Sequence, residues 1–326
     1  MEGPASSYRG VETQVEKLLK MSITVRSGLH SVRRIVLLDE FVREGTMLNK
    51  HVFRGLEAVL TFDNWPMLVL GRLWDRKTGL VIYRKSGYDI LIDHRGGDQC
   101  GTRMCIATDT YRKYLPSFKL SGPLHVLDLG ANGGGFPLML SINGLQIARA
   151  VCVEMNPLTF QRLRLNLLTN LGPSAIALNA AVCSMPEGTD IPVTLTRGGT
   201  GDSLENNKCT ASDSCISVQT TTLPALMNRY FQNVCVDICK IDIEGVEFEL
   251  FESAPDSLIQ KLKYLIVEIH YFHDSSSAKA RVLTERLAAL GFSDITIKEP
   301  RKENAAAEVR AFAGPASRSL HSGYMQ

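Results

Sequence analysis

The sequence predicts an α/β fold built on an open, mostly parallel sheet, and three observations carry that prediction. From residue 121 onward, short apolar runs alternate with stretches of helical spacing. The first such run, HVLDLG, passes directly into a turn holding Gly130, Gly133, Gly134 and Gly135. Permissive backbone at a strand-to-helix turn is where open parallel sheets bring a ligand close. A later run, ARAVCVEM, ends at Glu154 just before Pro157, a residue suited to the first turn of a helix.

Residues 11–43 have helical periodicity, through Val11, Val15, Leu18 and Leu19 and then Leu29, Val32, Ile35, Val36 and Val42. A second helix is expected over 60–74, with Asn64 as N-cap and Pro66 in its first turn. LVIYR and YDILID, joined through Lys-Ser-Gly, read as a hairpin. Residues 1–120 are therefore an N-terminal helical and β-hairpin region. Beyond it, HVLDLG and ARAVCVEM are strands, each followed by a helix. SAIALNAAV and IPVTLT are further strands, and 197–217 is a polar Gly/Ser-rich loop longer than a connector needs. VDICKIDIEG leads into the helix VEFELFESA, and LKYLIVEIH is the next strand. A helix near 276–290 precedes the strands SDITIKE and EVRAFAG. The main domain spans 121–314, and 315–326 reads as a flexible tail.

Composition narrows the function. The chain has 326 residues, 44% hydrophobic and 21% charged, with a net charge of +2. That balance argues against a nucleic-acid or membrane-surface partner. The opening MEGPASSYRG lacks the basic-then-apolar pattern of a leader, and no apolar run is long enough to span a bilayer, so a cytoplasmic location is expected. The eight cysteines form no C-x-x-C pair and read as small apolar side chains in a reducing compartment.

The glycine turn departs from a dinucleotide fingerprint, which would need glycine where Asn132 stands. Asp128, two residues before Gly130, would sit poorly beside a pyrophosphate and suits a cationic ligand instead, such as a sulfonium. D-x-G-A-N-x-G followed by a strand ending in Glu154, whose carboxylate can accept from two ribose hydroxyls, is the S-adenosylmethionine pattern. A nicotinamide cofactor and a ligand-free tight turn are the competing readings. Strand alternation puts Lys240 and Asp242 on one side of KIDIEG, and Glu268 and His270 on one face at the end of IVEIH. His270 has the range of a base at neutral pH, and Glu247, in the first turn of a helix, is favoured there by the helix dipole alone.

DLGANGG (128–134), VEMNP (153–157), KIDIEGVE (240–247) and VEIH (267–270) together resemble the FkbM family of methyltransferases, as does the TRGGTGDSL segment before TTTLPAL. The likeness covers 121 to about 292; the family's usual E-P-x-P is Glu-Met-Asn-Pro here. The resemblance implies a Rossmann-like class I methyltransferase sheet with an antiparallel last strand, and S-adenosylmethionine as methyl donor. It implies Asp128, Gly130, Ala131, Asn132, Gly134, Glu154, Met155, Asn179, Ala181, Val182 and Asp242 at the cofactor. It places Asp242, His270, Lys240 and Glu268 in catalysis, with Ser203, Glu244 and His270 toward the substrate. The implied reaction is O-methylation of a hydroxyl on a sugar, glycan or specialised metabolite. N-methylation of a small molecule and a non-catalytic binding module are the alternatives. No metal ligand set is assigned, although Asp242, Glu244 and Glu268 offer oxygens to Mg²⁺. Residues 1–120 are expected to contact the acceptor or a second copy in a homo-oligomer.

Overall fold

The computed structural model describes residues 57–74, 79–194, 215–270, 276–298 and 307–313. The helix expected within 11–43, Ser203 with most of the 197–217 loop, and the 315–326 tail lie outside the described residues. The chain divides into two compact units, Met1–Glu57 and Ala58–Gln326, and everything below concerns the second.

That unit opens with helix α1 (Trp65–Trp74) and the hairpin β1 (Leu80–Lys85) and β2 (Tyr88–Asp93). Asn64 stands just before α1, and its side chain bonds to the hairpin. Its Oδ1 accepts from the Arg84 amide and its Nδ2 donates to the Ile82 carbonyl, tying the helix entrance to the hairpin. Helix α2 (Thr102–Ala107) and a 3-10 turn (Arg112–Ser117) complete the approach to the sheet.

The sheet itself is formed by β3 (Leu124–Leu129), β4 (Ile147–Glu154), β5 (Ala175–Asn179), β9 (Val236–Ile241), β10 (Leu262–Ile269), β11 (Phe292–Lys298) and β12 (Ala307–Ala313). Their order across it is β11-β12-β10-β9-β3-β4-β5. The pairs β5–β4, β4–β3, β3–β9 and β9–β10 are parallel, whereas β12 runs antiparallel to both β10 and β11. This is the expected sheet with its reversed last strand. Between β5 and β9 the chain forms a second sheet of β6 (Ala181–Val182), β7 (Asp190–Thr194) and β8 (Cys215–Thr221), in the order β6-β8-β7.

Both faces of β3 are buried, so its apolar residues divide between two cores. Leu127 and Leu129 pack with β9, β10 and the helices α5 (Leu223–Tyr230), α6 (Glu247–Ser253) and α7 (Ser276–Ala289). Leu124 and Val126 pack with α3 (Gly135–Ile142), α2, and the hairpin residues Tyr83, Ile90 and Ile92. A strand covered on two sides needs a nearly continuous apolar run, and LHVLDL supplies one apart from His125 and Asp128.

Helix α4 (Pro157–Leu171) shows how the hairpin joins the sheet. Asn156 caps it, accepting from the Leu158 and Thr159 amides, and Pro157 takes the first position where an N–H has no helical partner. Its inner face is polar as well as apolar. Asn166 accepts from the Leu91 amide and donates to its carbonyl, and Asn170 does the same for Asp89. Two asparagines four apart thus stand in for a neighbouring strand along the edge of β2. Beside them Arg162 makes a two-pronged pair with the buried Asp98, Nη2 to Oδ1 at 2.8 Å and Nε to Oδ2 at 2.5 Å.

Six of the described cysteines are free thiols, four of them buried as expected of small apolar side chains. Cys215 is disulfide-bonded, which the reading of a uniformly reduced set did not anticipate. Among the described residues no helix is long and apolar enough to cross a membrane.

Candidate active site

The chain direction reverses between β3, whose crossover leads to β4, and β9 on its other side. The carboxyl ends of these strands open into a cavity of about 310 Å³, near the lower end of small-molecule sites. Three strand ends line it: Gly130, Ala131 and Asn132 after β3, Glu154 and Met155 at the end of β4, and Asp242, Ile243 and Glu244 after β9. Lys240 and Glu268 reach it from within the sheet, and Ala180 and Val182 from beside β5.

The parallel register puts Asp128 opposite Lys240. Lys240 is buried, with Nζ 3.4 Å from Asp128 Oδ1 and 3.3 Å from Asp242 Oδ2, and it donates to the Gly130 carbonyl at 2.8 Å. Burial alone would drive its proton off; the carboxylates around it outweigh that and hold it well above the usual lysine range. Asp128 is completely buried, and neither of its oxygens has a hydrogen-bond partner. Burial pushes its carboxyl upward and Lys240 opposes the rise. Asp128 does not line the cavity, so its charge acts on any ligand through Lys240 and the Gly130 turn rather than by contact.

The turn after β9 is strained. Glu244 has φ +57°, in the left-handed region that costs a residue with a side chain roughly 1–2 kcal/mol. Its carboxylate lies 3.2 Å from His270 Nε2, and Asp242 Oδ1 is 3.8 Å from the same nitrogen. Glu247, fully buried at the start of α6, accepts from the Gly245 amide and pairs with His270 Nδ1 at 2.8 Å. Glu247 therefore does more than complement a helix dipole: it pins both the turn and the imidazole. His270 is raised to about 9; burial works against the proton, and the Glu247 hydrogen bond and charge, with Glu244 and Asp242, overcome it. The raised value favours a protonated, cationic ring at neutral pH, and His270 does not line the cavity. Glu244 is pushed up to about 7, chiefly by burial, with Asp242, Glu247 and Glu268 adding to the rise and His270 opposing it.

Glu268 accepts from the Tyr111 hydroxyl at 2.7 Å, and that hydroxyl is 3.4 Å from Asp242 Oδ2. Burial and Asp242 raise the Glu268 carboxyl. Asp242, Glu268 and His270 offer ligand atoms within 4.8 Å of one another, a spacing that a divalent cation could bridge. Lys240 already supplies positive charge there, and Glu244 is not part of that group.

At the β4 end, Glu154 accepts from the Asn132 amide through Oε2 and from the Asn156 amide through Oε1. Asn179 donates its amide hydrogens to the Glu154 and Met155 carbonyls and stands behind the cavity wall, and Ala181 also faces away. Val182 lines the cavity as expected, and Ala180 lines it in place of Ala181. Gly134, at φ +87°, opens α3 and packs on Leu163 and Leu167 rather than facing the cavity.

Sequence reasoning missed the segment before the sheet. Cys100, Gly101, Thr102, Met104, Thr110 and Tyr111 all line the cavity, and Tyr111 is the polar contact of Glu268. Nothing in their spacing marks them, since they reach the site through packing of α2 against α3.

A parallel sheet with one reversed strand, carrying an acid-rich cavity at its switch point, is the architecture of the class I methyltransferases. The chain belongs to a family within that class: the methyltransferase FkbM domain matches residues 128–293. Among solved structures, the FkbM methyltransferase of Methylobacillus flagellatus KT is 14% identical, with a TM-score of 0.42 over 62% of this chain and 46% of that one. The match thus spans about half of that relative. A precorrin-6y C5,15-methyltransferase from Geobacter metallireducens GS-15 is 14% identical over 64% of this chain and 89% of that one, with a TM-score of 0.37. Trm5b from Pyrococcus abyssi is 11% identical over 73% and 57%, with a TM-score of 0.40. No curated protein matches the chain.

Proposed function

We propose that this chain transfers the methyl group of S-adenosylmethionine to a hydroxyl of a sugar, glycan or specialised metabolite. The observation that carries the reading is the charge of the site. Asp128, Asp242, Glu244, Glu247 and Glu268 surround Lys240 and His270, so five carboxylates face two cations. Asp128, Glu244 and Glu268 are all raised, chiefly by burial and further by neighbouring carboxylates, with Lys240 or His270 opposing the rise. A cationic ligand relieves that crowding and a polyanion aggravates it, so a nucleic-acid acceptor fits poorly.

The donor, when bound, supplies a methyl group already activated on a cationic sulfur. Glu154, anchored by two backbone amides, is placed to hold ribose hydroxyls, and Gly130, Ala131, Met155, Ala180 and Val182 shape the walls. An alcohol must shed a proton as it is methylated. Glu244 lines the cavity, sits near neutrality at about 7, and is held out on a strained turn braced by Glu247 and His270, so it is the group assigned to collect that proton. Lys240 fixes Asp242 and the Gly130 carbonyl in place, and Tyr111 does the same for Glu268.

Calorimetry with S-adenosylmethionine and with NAD tests the donor, and Glu154→Ala should weaken binding of the former markedly. Methyl transfer to a panel of monosaccharides, glycosides and amines then tests the acceptor. Glu244→Gln should lower turnover by about 10²- to 10⁴-fold while sparing donor binding. A wild-type chain blind to S-adenosylmethionine refutes the reading, and turnover confined to amines replaces it with N-methylation. Mg²⁺ enters the reading only if EDTA abolishes transfer.

A further inference from the structure

The geometry points to Thr102 as a positioning residue of the donor site, acting through Asn132. The donor site extends by this means to α2, outside the segment that carries the family match. This rests on the reading of the cavity as an S-adenosylmethionine site.

Asn132 lies in the left-handed region at φ +49°. Asparagine tolerates that region better than most residues but still needs something to hold it there. The holding group is Thr102, which is almost completely buried. Its hydroxyl donates to Asn132 Oδ1 at 2.8 Å, its amide donates to the same oxygen at 3.3 Å, and its Oγ1 accepts from the Gly133 amide at 2.8 Å. Asn132 thereby supplies from a distance the cap that α2 lacks, since Gly101 at its N-cap has no side chain to give.

The packing leaves no slack in this clasp. A Cβ on Gly101 would meet the Asn132 side chain at 2.7 Å. One on Gly133 would meet Thr102 Oγ1 at 2.5 Å, and one on Gly135 would meet the Thr102 backbone at 2.8 Å. Two of the glycines that suggested a ligand pressed against the backbone are therefore required by α2.

The clasp reaches the donor through Glu154. The Asn132 amide donates to Glu154 Oε2 at 2.9 Å, and that amide points there only while Asn132 keeps its left-handed conformation. Without the Thr102 hydroxyl the Gly133 amide loses its buried partner and Asn132 Oδ1 keeps only the longer bond from the Thr102 amide, the turn relaxes toward ordinary dihedrals, and the Glu154 carboxylate loses one of its two anchors. Apparent affinity then falls with the fraction of molecules that hold the competent turn.

The test is calorimetric titration of the full chain with S-adenosylmethionine, with melting temperature followed alongside. Leaving such groups unpaired predicts a roughly fivefold to hundredfold weaker dissociation constant for Thr102→Val. Thr102→Ser, which keeps the hydroxyl, should stay near the wild-type constant. Asn132→Ala should weaken binding as Thr102→Val does, and the double variant should be little worse than either, because both remove one shared interaction. Amide exchange at Gly133 should quicken in Thr102→Val and not in Thr102→Ser. Wild type that binds beside a Thr102→Val chain of unchanged affinity overturns the proposal alone, as do losses that simply add in the double variant. Wild type that does not bind overturns the proposed function as well. Should Thr102→Val fail to fold, Gly101→Ala, which pushes directly on the Asn132 side chain, carries the same expectation and the same refutation.

Discussion

Replacing Glu247 by glutamine isolates the electrostatic support of the β9 turn, because Gln retains an oxygen for His270 Nδ1 and the Gly245 amide but not the charge. His270 rises from 6.5 to about 9 in the folded chain, a preference for the charged form of roughly 3 kcal/mol at about 1.4 kcal/mol per pH unit. The folded pKa lies above the unfolded one. The stabilisation is therefore complete below about pH 6.5 and is lost as pH climbs through about 9. Glu244 is raised as well, but its contribution fades between 4.5 and about 7, so the fall from pH 7 to 9.5 reports on His270. Wild type should lose about 2–3 kcal/mol of unfolding free energy over that interval, allowing for the part of the ring that meets solvent. Removing a charge in direct contact should bring the His270 midpoint down by at least about one unit in Glu247→Gln and flatten the loss in proportion. Imidazole NMR titration and denaturant unfolding at pH 7 and 9.5 measure both quantities. A wild-type His270 that titrates at or below 6.5, or a midpoint indifferent to Glu247→Gln, refutes the account of His270 as a fixed cation.

Three other perturbations follow from the same geometry. Gly130→Ala places a Cβ 1.7 Å from the Asp242 carbonyl oxygen at a residue with φ +75°, so denaturant unfolding should show a loss of about 4 kcal/mol or more, or no folded protein. Arg162→Met leaves Asp98 buried and unpaired and should cost about 3–5 kcal/mol, with Asp98→Asn in the same chain restoring part of it; equal stability of single and double variants contradicts the pairing. Tyr111→Phe removes the donor to Glu268 and should raise that carboxyl further, seen as an upward shift of its ¹³C titration, whereas an unchanged midpoint places the hydroxyl elsewhere.

The sheet was legible in the sequence because its evidence is local. Apolar runs such as LKYLIVEIH announce doubly covered strands without reference to any partner, and the reversed last strand followed from the family likeness. Glu154, Asp242 and Glu268 were legible for a related reason: each falls at the carboxyl end of a strand, where an open parallel sheet puts its ligands. His270 stands at the strand end where the sequence put it, but its pairing with Glu247, which favours the charged ring, is not visible in the sequence. A base and a locked cation look alike in sequence, and only the distance to Glu247 separates them. Of the residues assigned by likeness at the end of β5 and just beyond it, Val182 lines the cavity, whereas Asn179 and Ala181 do not and Ala180 does, because a one-residue phase decides which side chain a strand turns inward.

By itself the sequence determined the strands, their alternation with helices, and the carboxylates at the strand ends, all properties of short segments. Tertiary structure alone decided which charges meet, that Asp128 answers to Lys240 behind the cavity wall, and that Tyr111 and Thr102 belong to the site. The glycine turn after β3 records the difference. Its four glycines are a local signal of close approach, but what approaches is set by packing: the Asp242 carbonyl at Gly130, Leu163 and Leu167 at Gly134, and α2 at Gly133 and Gly135. Contacts between residues from 30 to 157 positions apart leave no periodicity in the chain, so they exist only once the sheet has brought its strand ends together.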